Sequence, residues 1–238
     1  GKTSLAKNGI SKCLTDINGK KRPFAFIALG GSSNGSTLEG HSYTYVGSTW
    51  GRIVDILMET ECMNPIIYID ELDKISRTEQ GRELVGILTH MTDSTQNTEF
   101  MDKYFAGVRI DLSRVLFVFS YNDPDLLDPI LRDRIHVVRF SPLKQADKHE
   151  VCKLHLIPEI LKTIGLSKGD IVFPNDVIDY IIDNYTAEGG VRRLKEKLFE
   201  ISRDLNIRHI VDQEHYSFPY TVSIDFLKNN ILMCTEFF

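Results

Sequence analysis

Asn64 to Lys74 reads NPIIYIDELDK, and this stretch decides the fold. Ile66, Ile67, Tyr68 and Ile69 form an unbroken apolar run after Pro65, with no polar alternation. Such a run is the pattern of a strand buried on both faces of a sheet. Asp70 and Glu71 then follow at once. Two adjacent carboxylates cannot continue into a core, so they emerge at the strand's end.

Working outward, PFAFIALGG (23–31) predicts a second short strand, ending in glycines. RVLFVFSYND (114–123) predicts a third and HVVRFS (136–141) a fourth. Between them GRIVDILMETE (51–61), GRELVGILTHMTD (81–93) and DPDLLDPILRDR (123–134) have helical character. Toward the amino terminus, Ala6, Ile10, Cys13, Leu14 and Ile17 recur at three- and four-residue steps, which predicts an amphipathic helix. Strands alternating with helices imply an α/β fold with a parallel sheet covered on both faces. Ligands of such sheets collect at the carboxyl ends of the strands. Asp70 and Glu71, the SYND segment and the opening Gly1-Lys2-Thr3 all belong to that edge.

The pattern changes at SPLKQADKHE (141–150), a polar stretch opened by Pro142. Beyond it, PNDVIDYIIDNY predicts a helix capped by Asn175, with Val177, Ile178, Ile181 and Ile182 inward. GGVRRLKEKLFEISRDL places Val191, Leu194, Leu198, Ile201 and Leu205 on one helical stripe. The expected organisation is an α/β nucleotide-binding domain over 1–141 and a small all-helical domain over 142–238, whose last twenty residues read ambiguously.

Composition narrows the function classes. The net charge of −5 disfavours a protein held on nucleic acid by bulk attraction. No apolar run is long enough to span a membrane, and no basic-then-apolar leader opens the chain. Cys13, Cys62, Cys152 and Cys234 are scattered without metal-ligand spacing, which reads as buried thiols in a reducing compartment.

The site candidates follow from the strand ends. GKT is how a phosphate-binding loop ends, so Gly1, Lys2 and Thr3 are candidates for holding ATP phosphates. Asp70 is a candidate to hold magnesium through its water shell and Glu71 to polarise an attacking water. The plainer alternative for this pair is a core strand running into an acidic turn. Asn122 fits a residue that positions water, or a simple strand-end turn. Arg134 fits an arginine finger acting on a neighbouring subunit, with Arg132 as competitor, and Arg192 lies beside the stripe of the last clear helix. In EGHSYTYVGSTWGR (39–52), Tyr43, Tyr45, Val46 and Trp50 sit among small polar residues with no regular period. Exposed aromatics in a loop imply something to grip, whereas the alternative folds them back on the sheet edge. An ATP-driven machine then competes with a nucleotide-binding switch, and Glu71 beside Asp70 together with Arg134 favours the machine.

In order and spacing, GKTSLAK, ALGGSSNGSTLEGHSYTYVGSTWGRI, NPIIYIDELDKI, DLSRVLFVFSYND, ILRDRIHVVRF, HLIPEILKTIGL and AEGGVRRLKEKL resemble the ATPase module of the Lon family of AAA+ proteases. The resemblance runs from the first residue to about Leu205. It implies that Lys2 and Thr3 are the Walker A lysine and magnesium-ligand threonine, Asp70 and Glu71 the Walker B pair, and Asn122 sensor 1. It further implies that Arg134 is the arginine finger, Arg192 the sensor-2 arginine, and Tyr45 and Val46 the pore loop that moves substrate polypeptide. A homo-hexameric ring acting on unfolded or damaged proteins is the expected assembly, in the cytoplasm or the mitochondrial matrix. The runner-up is a stand-alone AAA+ protein-remodelling ATPase, and a clamp-loader or helicase-loader relative ranks third. No serine lies in the Lon proteolytic setting, so the protease domain falls outside this stretch. The first strand and first half of the phosphate loop are expected to be missing, as in a piece cut from a longer polypeptide. By the resemblance, that strand would lie between the VLFVFSYN and HVVRFS strands, which should flank a gap.

Overall fold

The computed structural model describes residues 2–15, 19–30, 35–75 and 77–230, with side chains given to residue 229. Gly1, Ile17 and Cys234 lie outside the described residues. The chain divides into two compact units, Gly1–Arg139 and Phe140–Phe238.

The first unit is built on a three-stranded parallel sheet of β1 (Phe24–Ala28), β2 (Ile66–Asp70) and β5 (Leu116–Phe119), with β2 in the centre. Phe24 stands opposite Ile66 and Ala28 opposite Asp70, while Ile66 and Ile69 stand opposite Leu116 and Phe119. This register aligns the three carboxyl ends. Because side chains alternate between faces, Ala25, Ile27, Ile67 and Ile69 share one face. They join a core with Ile53, Ile56 and Leu57 of the Arg52–Thr60 helix and Leu84, Ile87, Leu88 and Met91 of the Glu79–Thr92 helix. Each fully buried aliphatic side chain contributes about 1.5–3 kcal/mol, so this face sets the position of both helices.

The opposite face is thinner. Tyr68 stacks with Phe24 and Phe26 at centroid distances of 6.2 and 5.7 Å, and Phe26 remains 43% exposed. The sheet is therefore covered fully on one face and partly on the other.

Several sequence expectations are corrected here. The amino-terminal segment is helical, but Leu5–Ile10 winds as a π-helix between short α-turns at Lys2–Ser4 and Ser11–Cys13. Its buried positions are Ala6 and Ser11, five apart, so a three-and-four pattern misjudges its inner face. Cys13 is exposed and Cys62 half-buried; among the described cysteines only Cys152 is a buried thiol, and burial pushes its pKa up to about 11. DPDLLDPILRDR is two helices, a 3-10 turn at Pro124–Leu126 and an α-helix at Pro129–Arg134, because Asp128 caps a new start at Pro129. HVVRFS is not a strand: residues 136–141 form no ladder, and Val138 and Phe140 are 67% and 55% exposed. A strand needs a neighbour for its backbone hydrogen bonds. Among the described residues β5 pairs with β2 alone, so its second edge offers no intervening strand.

A two-stranded antiparallel hairpin, β3 (Phe100–Met101) with β4 (Arg109–Ile110), rises from the same unit.

The second unit is helical. Its core joins Leu156, Ile160 and Leu161 to Val177, Ile178, Ile181 and Ile182 of the Asn175–Tyr185 helix and to Leu194, Leu198, Ile201 and Leu205 of the Arg192–Val211 helix. Asn175 is the first helical residue rather than the cap, which is Pro174, and Val191 likewise precedes its helix. The ambiguous tail supplies a short parallel pairing of β6 (Ile171–Val172) with β7 (Tyr220–Thr221), then a helix at Ile224–Asn230. Sequence patterning missed the pairing because two-residue strands carry no period.

Candidate functional site

The parallel sheet brings Asp70, Glu71, Lys2 and Asn122 to one edge. Lys2, at the start of the first helical turn, donates from Nζ to the Tyr121 carbonyl at 2.5 Å and to Asn122 Oδ1 at 2.6 Å. These partners lie about 120 residues away in sequence, so the contact exists only because β5 ends beside the amino-terminal helix. Thr3 Oγ1 lies 3.3 Å from the Tyr68 hydroxyl on the sheet's thin face.

Asp70 is half-buried at the end of β2. Its Oδ1 accepts from the Ser120 hydroxyl and from the Glu71 backbone N–H at 3.0 Å. Glu71 then turns the chain with φ 60° and ψ 44°, a left-handed conformation that a side chain bearing Cβ adopts at a cost of about 1–2 kcal/mol. Lys74 secures the turn twice, through its N–H on the Glu71 carbonyl at 3.0 Å and its ammonium on the Glu71 carboxylate. That carboxylate in turn raises the Lys74 pKa above its ordinary value. Gly30 supplies the remaining space, since a Cβ there would stand 1.8 Å from Glu71 Oε2. A side chain at position 30 would displace the Glu71 carboxylate from this position.

Arg134 takes no part in these hydrogen bonds. Arg134 forms an ion pair with Asp93 at 2.6 Å. The Asp93 carboxyl is held down at about 2, first by the hydroxyl and N–H of Thr95 and then by Arg134. Arg132, its competitor, is exposed on the same short helix. Arg192 belongs to the second unit, where its side chain is 91% exposed and Nε lies 3.4 Å from Glu196 Oε1.

The loop at 40–51 stands out from the first unit. Tyr43, Tyr45 and Val46 are 64%, 70% and 107% exposed, so the loop tip is not folded back on the sheet. Its base is tight: His41 N–H reaches the Thr49 carbonyl at 3.0 Å, and a Cβ on Gly51 would stand 2.0 Å from the Leu38 carbonyl oxygen. Trp50 behaves differently from the tip, packing on Tyr104 and Phe105 of the hairpin.

Sequence reading missed Lys74, Asp93 and the roles of Ser120 and Gly30. The SYND segment and the glycine pair after β1 were the visible signals. Lys74 acts on Glu71, three residues before it, from an ordinary acidic turn, and Asp93 pairs with Arg134, 41 residues away.

Comparison with known proteins places this arrangement in a class. Residues 1–143 match the family described as "ATPase family associated with various cellular activities (AAA)". The chain belongs to that family. Residues 162–218 match the "Lon protease AAA+ ATPase lid domain". Among curated relatives, a "Lon protease homolog" from Acanthamoeba polyphaga mimivirus is 39% identical over 208 residues, covering 87% of this chain and 20% of the relative. The "Lon protease" of Campylobacter concisus is 38% identical over 203 residues, covering 85% and 24%. That of Helicobacter pylori is 38% identical over 215 residues, covering 90% and 25%. The chain thus spans a fifth to a quarter of the length of these relatives.

Proposed function

We propose that this chain is the ATP-driven motor of a Lon-type ATP-dependent protease, which unfolds protein substrates and threads them onward. The observation that carries the reading is the strand-end cluster. Lys2, Asp70, Glu71 and Asn122 converge at one edge of a parallel sheet, each fixed by hydrogen bonds. That set suits a nucleotide triphosphate with a hard divalent cation: an ammonium for the phosphates, a carboxylate oxygen for the metal, and a second carboxylate for water. Among the described residues no cluster of three or more His, Cys, Asp or Glu suits a metal by itself. Magnesium fits such a place because it takes one or two protein oxygens and fills its shell with phosphate and water. Bound there, it would supply charge neutralisation on the phosphoryl oxygens.

In this reading Lys2 holds the β- and γ-phosphates, and Thr3 and Asp70 serve the cation. Glu71 draws a proton from the attacking water, which Asn122 orients. Gly1, outside the described residues, completes the phosphate turn. Arg134 reaches the neighbouring subunit's nucleotide once its pair with Asp93 opens, and Arg192 senses nucleotide from the helical domain. The assembly is a homo-oligomeric ring, with six subunits expected. Tyr45 and Val46 press on an extended polypeptide by dispersion, which needs no sequence-specific hydrogen bonds. No helix among the described residues is long and apolar enough to cross a membrane. A reducing intracellular compartment suits the free thiols of Cys13, Cys62 and Cys152.

The test is made in the full-length polypeptide. Glu71→Gln is expected to retain ATP binding and lose turnover, with degradation of an unfolded protein lost alongside it. Hydrolysis equal to wild type would remove Glu71 as the base and with it the motor reading of this cluster.

A further inference from the structure

Asp102 is the one buried acid among the described residues, 1% exposed, and no cation lies within ion-pair distance of it there. A buried carboxylate without a counter-charge is costly unless hydrogen bonds satisfy it. Both of its oxygens are occupied, and by different segments. Oδ2 accepts from the Gly51 N–H at 2.8 Å, and Oδ1 accepts from the Tyr104 N–H at 2.8 Å. Gly51 ends the 40–51 loop and caps the Arg52–Thr60 helix, while Tyr104 lies in the turn of the β3–β4 hairpin. One side chain therefore fastens the loop base to the hairpin.

Two further ties run in parallel. Trp50 meets Tyr104 edge-on at 5.8 Å and stacks with Phe105 at 6.1 Å between centroids. Lys103 donates its N–H to the Glu39 carbonyl at 2.7 Å, and its ammonium pairs with Glu83 at 2.8 Å and Glu39 at 3.5 Å. The loop tip is bare while its root is tied three ways to one hairpin.

We infer that Asp102 is a positioning residue for the 40–51 loop, locking it to the 100–110 hairpin so that Tyr45 is presented from a rigid base. The inference rests on the reading of Tyr45 and Val46 as the polypeptide grip. The chemistry is specific to a carboxylate. Asparagine has a single acceptor oxygen, so in Asp102→Asn one N–H would face an amide NH2 instead of an acceptor. Losing one hydrogen bond to a charged acceptor is worth about tenfold in an equilibrium constant.

Trp50 lies at the loop-to-hairpin contact, so the part of the emission that is lost in Trp50→Phe reports on that contact. In the full-length protein, Asp102→Asn is expected to red-shift that Trp50 component. The KM for an unfolded protein, read from stimulated ATP hydrolysis, is expected to rise about tenfold with kcat within about twofold of wild type. Phe105→Leu removes the stack without touching the buried charge, and should raise the same KM by a smaller factor, about threefold. It decides the matter if Asp102→Asn does not fold. Unchanged KM in Phe105→Leu, or unchanged emission and KM in Asp102→Asn, overturns the inference. If Tyr45→Ala still abolishes stimulation by the unfolded protein in that case, the grip reading survives alone. If Tyr45→Ala is stimulated as wild type, the grip reading fails and takes the inference with it. A fall of kcat and melting temperature together, with KM constant, marks Asp102 as a fold residue and also overturns it.

Discussion

At the end of β2 the polar side chains are held by partners inside the chain, whereas at the tip of the 40–51 loop the apolar ones stand in solvent. Asp70 rests on Ser120, Glu71 on Lys74, and Lys2 on Asn122. Tyr45 and Val46 are 70% and 107% exposed. The two regions share a unit but answer opposite demands. In the proposed function, phosphoryl transfer depends on placement to a fraction of an ångström, which suits groups pinned even at the cost of a left-handed Glu71. A grip that must accept any sequence gains from an uncommitted surface, provided its root is firm.

The contrast breaks most sharply at the pinned end. Lys2→Ala in the full-length protein is expected to abolish ATP binding, measured by titration with a fluorescent nucleotide. Glu71→Gln should bind as wild type and slow turnover by about 10²- to 10⁴-fold, the usual worth of a general base. Comparable binding loss in both variants would show that the cluster acts as a unit rather than in the divided roles proposed.

Arg134 tests whether the pinned region includes its own ion pair. Arg134→Ala subunits should bind ATP yet lower hydrolysis by about 10- to 100-fold in a pure assembly, the cost of one charge-assisted contact. Mixed assemblies should fall between. Normal turnover in the pure mutant would leave Arg134 as a structural partner of Asp93 and turn attention to Arg132.

At the bare end, Tyr45→Ala should bring the ratio of protein-stimulated to unstimulated hydrolysis down to about one, since dispersion on the ring supplies the grip. Its melting temperature should match wild type, because an exposed side chain buries nothing. A falling melting temperature would mean that Tyr45 packs, and the contrast between the two regions would collapse.

The smallest effect belongs to Asp93. Its folded carboxyl is held near 2 against an ordinary value of 3.8. A depressed carboxylate stabilises the fold above its unfolded pKa and loses that contribution as pH falls through the folded value. Asp93→Asn should therefore melt slightly below wild type at neutral pH, by no more than a few degrees. The difference should close between about pH 4 and pH 2. A gap that is constant across that range would mean the hydrogen bonds to Thr95 and Arg134 do not depend on the charge.

What the sequence determined by itself was local in origin. The unbroken run of Ile66 to Ile69 specifies a central strand, because nothing but burial on both faces accommodates it. The periodic apolar positions of Glu79–Thr92 and Asn175–Tyr185 specify helices in the same way. Acids at a strand end and an aromatic loop among glycines were legible as site candidates for the same reason: each is a departure from a local pattern. The tertiary structure decided what depends on distant partners. Val137 and Val138 have strand composition yet form no strand, because pairing requires a neighbour the described chain does not place there. The inner face of the first helix follows a five-residue step that a 3.6-residue period cannot reveal. Gly30 matters only because the Glu71 carboxylate lies against it, and Asp102 matters only because Gly51 and Tyr104 meet at its two oxygens. Periodicity is written along the chain, but hydrogen-bond partnership between remote segments is settled by packing, so the strands could be read and their fastenings could not.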